Sequence, residues 1–364
     1  MREKSIWGYC EGLSFSRRLI AHFSEFLLLF FLCMISFHIA DPIFSRGNTA
    51  LGKTTEKMRA DQTVLTDMLL DTHLTYREAT SLADSATLAT DYVHRICEET
   101  GNTGELNEET DPLFYYYTVY KPAHRTQYPA DTETGVAAAR SILLTARVVN
   151  YFEEESYPRL RDDVAQAVRI WLTNGEKNTG DIDGESVTNE LMVAYAAAIR
   201  TAKEDLATSN ETYRNTQNVF LSERDTLIGL KWTELTVIYT LVTFVLCFVI
   251  PMLSKRRVPL VYLLLKAGAV TKDGDTVPVL SLFVNFAFRL IAFFNVIYLI
   301  PVLLYGKNSS LFFRYKLIHV FPMTVLWVLS LLVLVVSLAL SAADKVSHRT
   351  LADRVSGQIY KDLR

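Results

Sequence analysis

Four apolar runs, Leu19–Ala40, Leu235–Leu253, Pro278–Leu304 and Phe321–Ala343, set the limits on what this 364-residue chain can fold into. Each is long enough to cross a hydrocarbon core, which takes roughly 20 residues of helix. In lipid every backbone N–H and C=O must be satisfied within the segment, so such runs are held to α-helix. The chain is therefore expected to be all-α: a four-helix transmembrane bundle with a large helical extracytoplasmic insert between the first and second spans. The first run is longer than the core of a cleaved signal, and no small-x-small site follows before Asp41 and Pro42. It reads as a retained anchor. The apolar stretch Val258–Leu265 would span only about 12 Å as a helix and is expected to lie in the interface or fold back.

Basic residues in the short flanks give the orientation, because cytoplasmic loops carry the excess of Lys and Arg. Arg2, Lys4, Arg17 and Arg18 precede the first span, and Lys255, Arg256, Arg257, Lys266 and Lys272 sit between the second and third. Lys345, Arg349, Arg354, Lys361 and Arg364 follow the fourth, whereas the opposite short loop has Lys307, Arg314 and Lys316. The chain thus reads as an N-terminal tail (1–18), a first span (19–40), an insert (41–233), a membrane region (234–343) and a C-terminal tail (344–364), both tails cytoplasmic.

The insert has 31 acidic and 19 basic residues, while the remainder has 9 acidic and 18 basic, so the two signs are segregated by membrane side. Between Thr54 and Ile96, Met58, Leu65, Met68, Leu69, Leu82, Ala86, Ala89 and Val93 recur at helical spacing, which predicts one long helix or two separated by a kink. A turn is expected at Gly101–Gly104, and the run Phe114–Tyr120 reads as a short strand or a packing loop. Helical pattern resumes over Gly135–Phe152, Pro158–Thr173 and Ser186 to about Leu230. Of the four cysteines, Cys10, Cys33, Cys97 and Cys247, only Cys97 falls in the insert, so packing alone must hold that domain.

One stretch of the insert matches a calcium loop by spacing: Thr179, Asp181, Asp183, Gly184 and Glu190 stand at positions 1, 3, 5, 6 and 12. Asp181, Asp183 and Glu190 are the metal-ligand candidates. An inter-helix turn, with Asp183 and Gly184 supplying a left-handed conformation, accounts for the same residues.

Ionisable residues inside a span are costly, so each marks a candidate site. Arg18 and Glu25 share one face of the first span, and Arg289 lies well inside the third, beside Asn285 and Asn295. An intramembrane pair between Glu25 and Arg289 is expected; the alternative is that Arg18 and Glu25 snorkel to the headgroups while Arg289 faces the two asparagines. Arg18, Glu25, Arg289 and Asn295 are the candidates for a charge pair or relay. His22, His38 and His319 read as interfacial, since none has a second ligand at metal spacing.

Arg18, Ala21 and Glu25, opening an apolar span, resemble the start of the RDD family of bacterial multi-pass membrane proteins, named for an arginine and two aspartates. Val261–Val270, the turn Lys272, Asp273, Gly274, and Phe283–Leu290 with Arg289 resemble its middle, and Gly306–Val320 resembles its final stretch. The resemblance covers residues 15–40 and about 234–325, leaving out the insert and the fourth span. Glu25 stands where the family has its first aspartate, while Ala292 and Arg314 stand where further acids are expected. The resemblance implies a location in the bacterial cytoplasmic membrane and, as for some members, a link to sodium or proton antiport.

Two functions follow. One is cation- or proton-linked transport through the buried polar residues, which in so small a bundle calls for a homo-oligomer. The other is binding or sensing, in which the insert recognises an envelope partner. The sequence has no Gly-rich phosphate loop and no Ser or Cys nucleophile beside a His, so it reads as a non-enzyme without a cofactor. The lipid bilayer is the expected partner, and nucleic acid is not one.

Overall fold

The computed structural model describes residues 11–46, 49–78, 81–99, 111–144, 147–153, 160–306, 309–314, 316–317 and 321–363. The expected turn at Gly101–Gly104, together with Cys10, Pro158, Lys307 and His319, lies outside them, as do the side chains of Cys97 and Arg314. In chain order the elements begin with α1 (Phe15–Phe44), α2 (Ala50–Asp71), α3 (Ser85–Glu99), α4 (Pro112–Tyr115), α5 (Lys121–Ala123), α6 (Val136–Leu143) and α7 (Asp162–Asn174). A hairpin of β1 (Asn178–Thr179) and β2 (Ile182–Asp183) leads to α8 (Gly184–Ser209), α9 (Glu211–Phe244) and α10 (Ile250–Leu253). There follow α11 (Leu260–Leu264), β3 (Ala267–Thr271), α12 (Val279–Ala292), α13 (Val296–Tyr305), α14 (Ser309–Arg314), β4 (Lys316–Leu317) and β5 (Phe321–Pro322). The chain ends with α15 (Met323–Ala343), α16 (Leu351–Ser356) and β6 (Gln358–Asp362).

The fold is all-α, with three two-stranded pairings as its only sheets among the described residues. Four helices are long and apolar enough to cross a membrane: Phe15–Phe44, Glu211–Leu253, Val279–Tyr305 and Val325–Ala343. This is an integral membrane protein. The chain divides into two compact units, one of residues 56–223 and one of residues 1–55 with 224–364. The first of these is narrower than the stretch 41–233 read from the sequence, because α1 continues past Ala40 and α9 begins at Glu211.

The 56–223 unit is built on α8. Leu191, Ala194, Tyr195, Ala198, Ile199, Ala202 and Leu206 recur every three or four residues along it and are all buried. Leu88, Tyr92 and Val93 of α3 and Val164 and Val168 of α7 complete the same core. Tyr92 stacks on Tyr195 with ring centroids 3.5 Å apart. The Thr54–Ile96 pattern resolves into two helices, α2 and α3, separated at His73, whose φ of 58° stops the first. The aromatic run is neither strand nor loop: Tyr116–Tyr120 forms a π-helical turn between α4 and α5. Pro122 explains it. Its ring cannot donate to the carbonyl four residues back and would clash with it, and a wider turn moves that carbonyl aside. The same device recurs at Val245–Val249, just before Pro251. The helix expected from Ser186 to Leu230 is two helices, because Asn210 is extended and its side chain caps Tyr213 N.

Gly184 opens α8 where it meets α7. A Cβ there would lie 2.5 Å from Ala167 O and 3.1 Å from Trp171 Cβ. Gly184→Ala must push the helices apart and is expected to cost about 1–3 kcal/mol, the usual range for overpacking. A urea titration of the full chain followed by far-UV circular dichroism reads this as an earlier first transition.

In the membrane unit the four spanning helices share one core, which includes Leu29, Phe37, Trp232, Leu235, Tyr239, Phe286 and Ile297, with Leu326 and Leu334 against it. The third span is broken between α12 and α13. Phe294 N turns to Ile291 O, and Val296 N turns to Phe293 O, which leaves the carbonyls of Leu290 and Ala292 without helical donors. Neighbouring spans supply them: Tyr239 OH donates to Leu290 O at 2.6 Å and Ser330 Oγ to Ala292 O at 3.2 Å. A break in a spanning helix is tolerated on this condition.

The C-terminal residues, read from the sequence as a tail, form a helix and a strand. Thr350 and Asp353 form a reciprocal capping box that starts α16, and Gly357, at φ 70°, ends it. β6 then pairs antiparallel with β3, Ala267 opposite Asp362 through Thr271 opposite Gln358. Val258–Leu265 does fold back, as α11 followed by a turn at Lys266.

Candidate functional site

The α1 stripe Arg18, Ala21, Glu25, Leu29, Cys33 and Phe37 is buried along its length. Two of its residues carry charge. On α12 the buried stripe is Leu282, Asn285, Phe286 and Arg289. Spacings of three and four put each set on one helical face, so the two polar stripes can meet inside the bundle.

Arg289 Nη1 donates to Glu25 Oε2, and both residues are essentially buried. The same guanidinium donates from Nε to Asn285 Oδ1 at 2.6 Å and from Nη2 to Tyr360 OH at 3.3 Å, and it lies 5.4 Å from the centre of the Tyr262 ring. Cys247 Sγ donates to the other Glu25 oxygen at 3.4 Å. His22, read as interfacial, is instead part of this cluster, with Nδ1 3.8 Å from Glu25.

Arg18 does not turn to Glu25. Its Nη1 donates to Asp353 Oδ2 at 2.7 Å, across 335 residues of sequence, and its guanidinium sits 5.1 Å from the centre of the Tyr360 ring. Asn285 bridges the two ion pairs by donating from Nδ2 to Asp353 Oδ1 at 3.2 Å. Two cations and two anions are thus buried together with no net charge, the condition under which a low-dielectric interior accepts them. Burial by itself would raise the Asp353 carboxyl; the Arg18 and Arg289 guanidiniums, His22 and the Thr350 amide outweigh it and hold the group below the ordinary carboxylate value.

The C-terminal segment completes the site. Tyr360 stacks on Tyr262 at 4.5 Å, Gln358 Nε2 donates to Ser281 O at 2.9 Å, and Arg17 pairs with Asp362 and with Leu265 O. Sequence reading missed Asp353, Tyr360 and Gln358, although the Thr350-x-x-Asp353 box followed by Gly357 is a helix start and stop that marks an ordered segment.

Asn295 stands apart from the network, at the break between α12 and α13. Its amide is buried, and neither Oδ1 nor Nδ2 has a hydrogen-bond partner among the described residues. Two of the three calcium-spaced acids are committed elsewhere, and the third, Asp181, is exposed. Asp183 Oδ1 caps α8 by accepting from Ser186 N at 3.1 Å, and Glu190 Oε2 accepts from Tyr151 OH at 2.8 Å. The left-handed residue of that turn is Gly180, at φ 66°, and not the Asp183–Gly184 pair. Among the described residues no group of three or more His, Cys, Asp or Glu side chains is placed to hold a metal ion.

No known protein-family model, curated protein or solved structure matches this chain.

Proposed function

We propose that this is an RDD-type membrane protein of the bacterial cytoplasmic membrane that moves a proton or a monovalent cation in step with the Glu25–Arg289 pair. The buried pair carries the reading: one carboxylate held by one guanidinium inside a spanning segment, a position where ionisable residues are retained for function. The family's arginine and first acid have counterparts in Arg18 and Glu25, and Asp353, outside the stretch of resemblance, is the acid that Arg18 meets. A proton arriving at Glu25 neutralises the carboxylate and loosens Arg289, which keeps Asn285 and Tyr360 as partners. The unpaired Asn295 amide at the helix break offers a polar stop along the same span. Discontinuous spanning helices are where transporters commonly place their sites.

Purified full-length protein in liposomes loaded with a pH-sensitive dye provides the test. An imposed sodium or proton gradient is expected to drive a dye response that Glu25→Asp retains in part and Glu25→Gln abolishes. Equal flux in Glu25→Gln and the unaltered protein overturns the reading.

A second reading assigns the 56–223 unit to recognition of an envelope partner. What favours it is that this unit has a complete hydrophobic core of its own.

A further inference from the structure

A third buried acid lies in the membrane unit, apart from the two in the Glu25–Asp353 network. Glu234, on α9, has a side chain only 7% exposed, yet among the described residues neither carboxylate oxygen accepts a hydrogen bond. The nearest cation among the described residues is Lys231 Nζ at 3.9 Å. That ammonium is already engaged, in an ion pair with Asp41 and donating to Ser45 Oγ at 3.2 Å. Among the described residues two carboxylates therefore share one lysine, one negative charge more than that cation offsets. Along α1 the distance from Glu25 to Phe44, beside Glu234, is about 28 Å at 1.5 Å per residue.

Glu234 lines a cavity of about 360 Å³ whose other walls include Phe44, Leu51, Leu230, Val237 and Ile238. A buried carboxylate without donors is expensive unless a cation or a proton joins it. Hydrated or bare metal ions fit poorly, because they need several oxygen ligands and the cavity wall is almost entirely apolar. An organic cation has the matching chemistry: its charge answers the carboxylate, and its hydrocarbon body replaces the missing contacts on the apolar walls.

We propose that this cavity binds an organic monocation, a quaternary ammonium or phosphonium with an apolar body, whose charge rests against Glu234. The site is independent of the Glu25–Arg289 pair, and its test leaves that pair untouched.

Equilibrium binding of radiolabelled tetraphenylphosphonium to the detergent-solubilised full chain tests it. Saturable binding of one cation per chain is expected. Glu234→Gln should weaken it at least tenfold, and Glu234→Asp should keep most of it. Val237→Trp, which fills the cavity without altering any charge, should abolish it while the size-exclusion profile stays that of the unaltered protein. Binding that is unchanged in Glu234→Gln, or uptake that rises linearly with concentration without saturating, overturns the proposal. So does equal competition by triphenylphosphine oxide, a neutral compound of similar shape.

Discussion

Asp353→Ala is expected to destabilise the membrane unit by about 3–5 kcal/mol, the cost of removing one partner from a buried ion pair and stranding the other. Arg18 would then lie fully buried with its Nη1 unpaired, and Asn285 and the Thr350 amide would lose an acceptor as well. For that reason the compensating double replacement, Arg18→Met with Asp353→Leu, should recover only part of the loss, since it removes the buried charges but not the orphaned amides. Cys33 and Cys247 are both buried free thiols, so in a background with Cys10→Ser and Cys97→Ser a thiol-reactive dye reports unfolding of the membrane unit. The alanine variant is expected to label at a markedly lower temperature than the unaltered protein, with the double variant between the two. Indistinguishable melting of Asp353→Ala and the unaltered protein would show that the C-terminal segment is not clamped through this carboxylate.

The same clamp should respond to acid. Asp353 is held below its ordinary value in the folded state. Its contribution is therefore complete above the unfolded value of about 3.9 and fades as pH falls through the folded value. The protection factors for amide hydrogen exchange in β6, corrected for the intrinsic pH dependence of exchange, are expected to fall over that acidic window and to be independent of pH between about 5 and 7.

The second large effect is expected at Arg289. One guanidinium serves Glu25, Asn285 and Tyr360 from three nitrogens and lies against the Tyr262 ring. Arg289→Leu leaves Glu25 as a buried carboxylate with only the weak Cys247 thiol as donor, and again about 3–5 kcal/mol should be lost. Arg289→Lys should lose most of that as well. A compact ammonium cannot reproduce a planar fork that reaches three acceptors at once. Glu25→Gln should be milder, because an amide oxygen still accepts from Arg289. The ranking Leu, then Lys, then the Glu25→Gln variant is readable from the temperature at which Cys247 becomes reactive. If Arg289→Lys melted with the unaltered protein, the multidentate role of the guanidinium would be wrong.

How much of this was legible in advance differs from residue to residue. Glu25 and Arg289 stand out in the sequence because a charge inside an apolar run is conspicuous. Asn285, four residues before Arg289, is visible for the same reason. Asp353 has no such contrast: it sits in a charged stretch after the last span, where an acid looks like any other tail residue. His22 and Tyr262 look like boundary residues until the C-terminal segment covers them. The π-helical turns follow from Pro122 and Pro251, but their consequence, helix continuing where a strand or loop was expected at Phe114–Tyr120, depends on packing against the α8 core.

The number and placement of the spanning helices were determined by the sequence alone, because transfer to lipid is a property of each segment by itself and needs no partner. Separation of an acidic helical unit from a basic membrane unit was determined in the same way. Tertiary structure decided which charges meet. Arg18 took Asp353 across 335 residues and left Glu25 to Arg289, and strand β3 took β6 from the other end of the chain. Such choices depend on the summed geometry of every helix and turn between the partners, and on the requirement that each buried polar group find a mate, which no local stretch of sequence encodes.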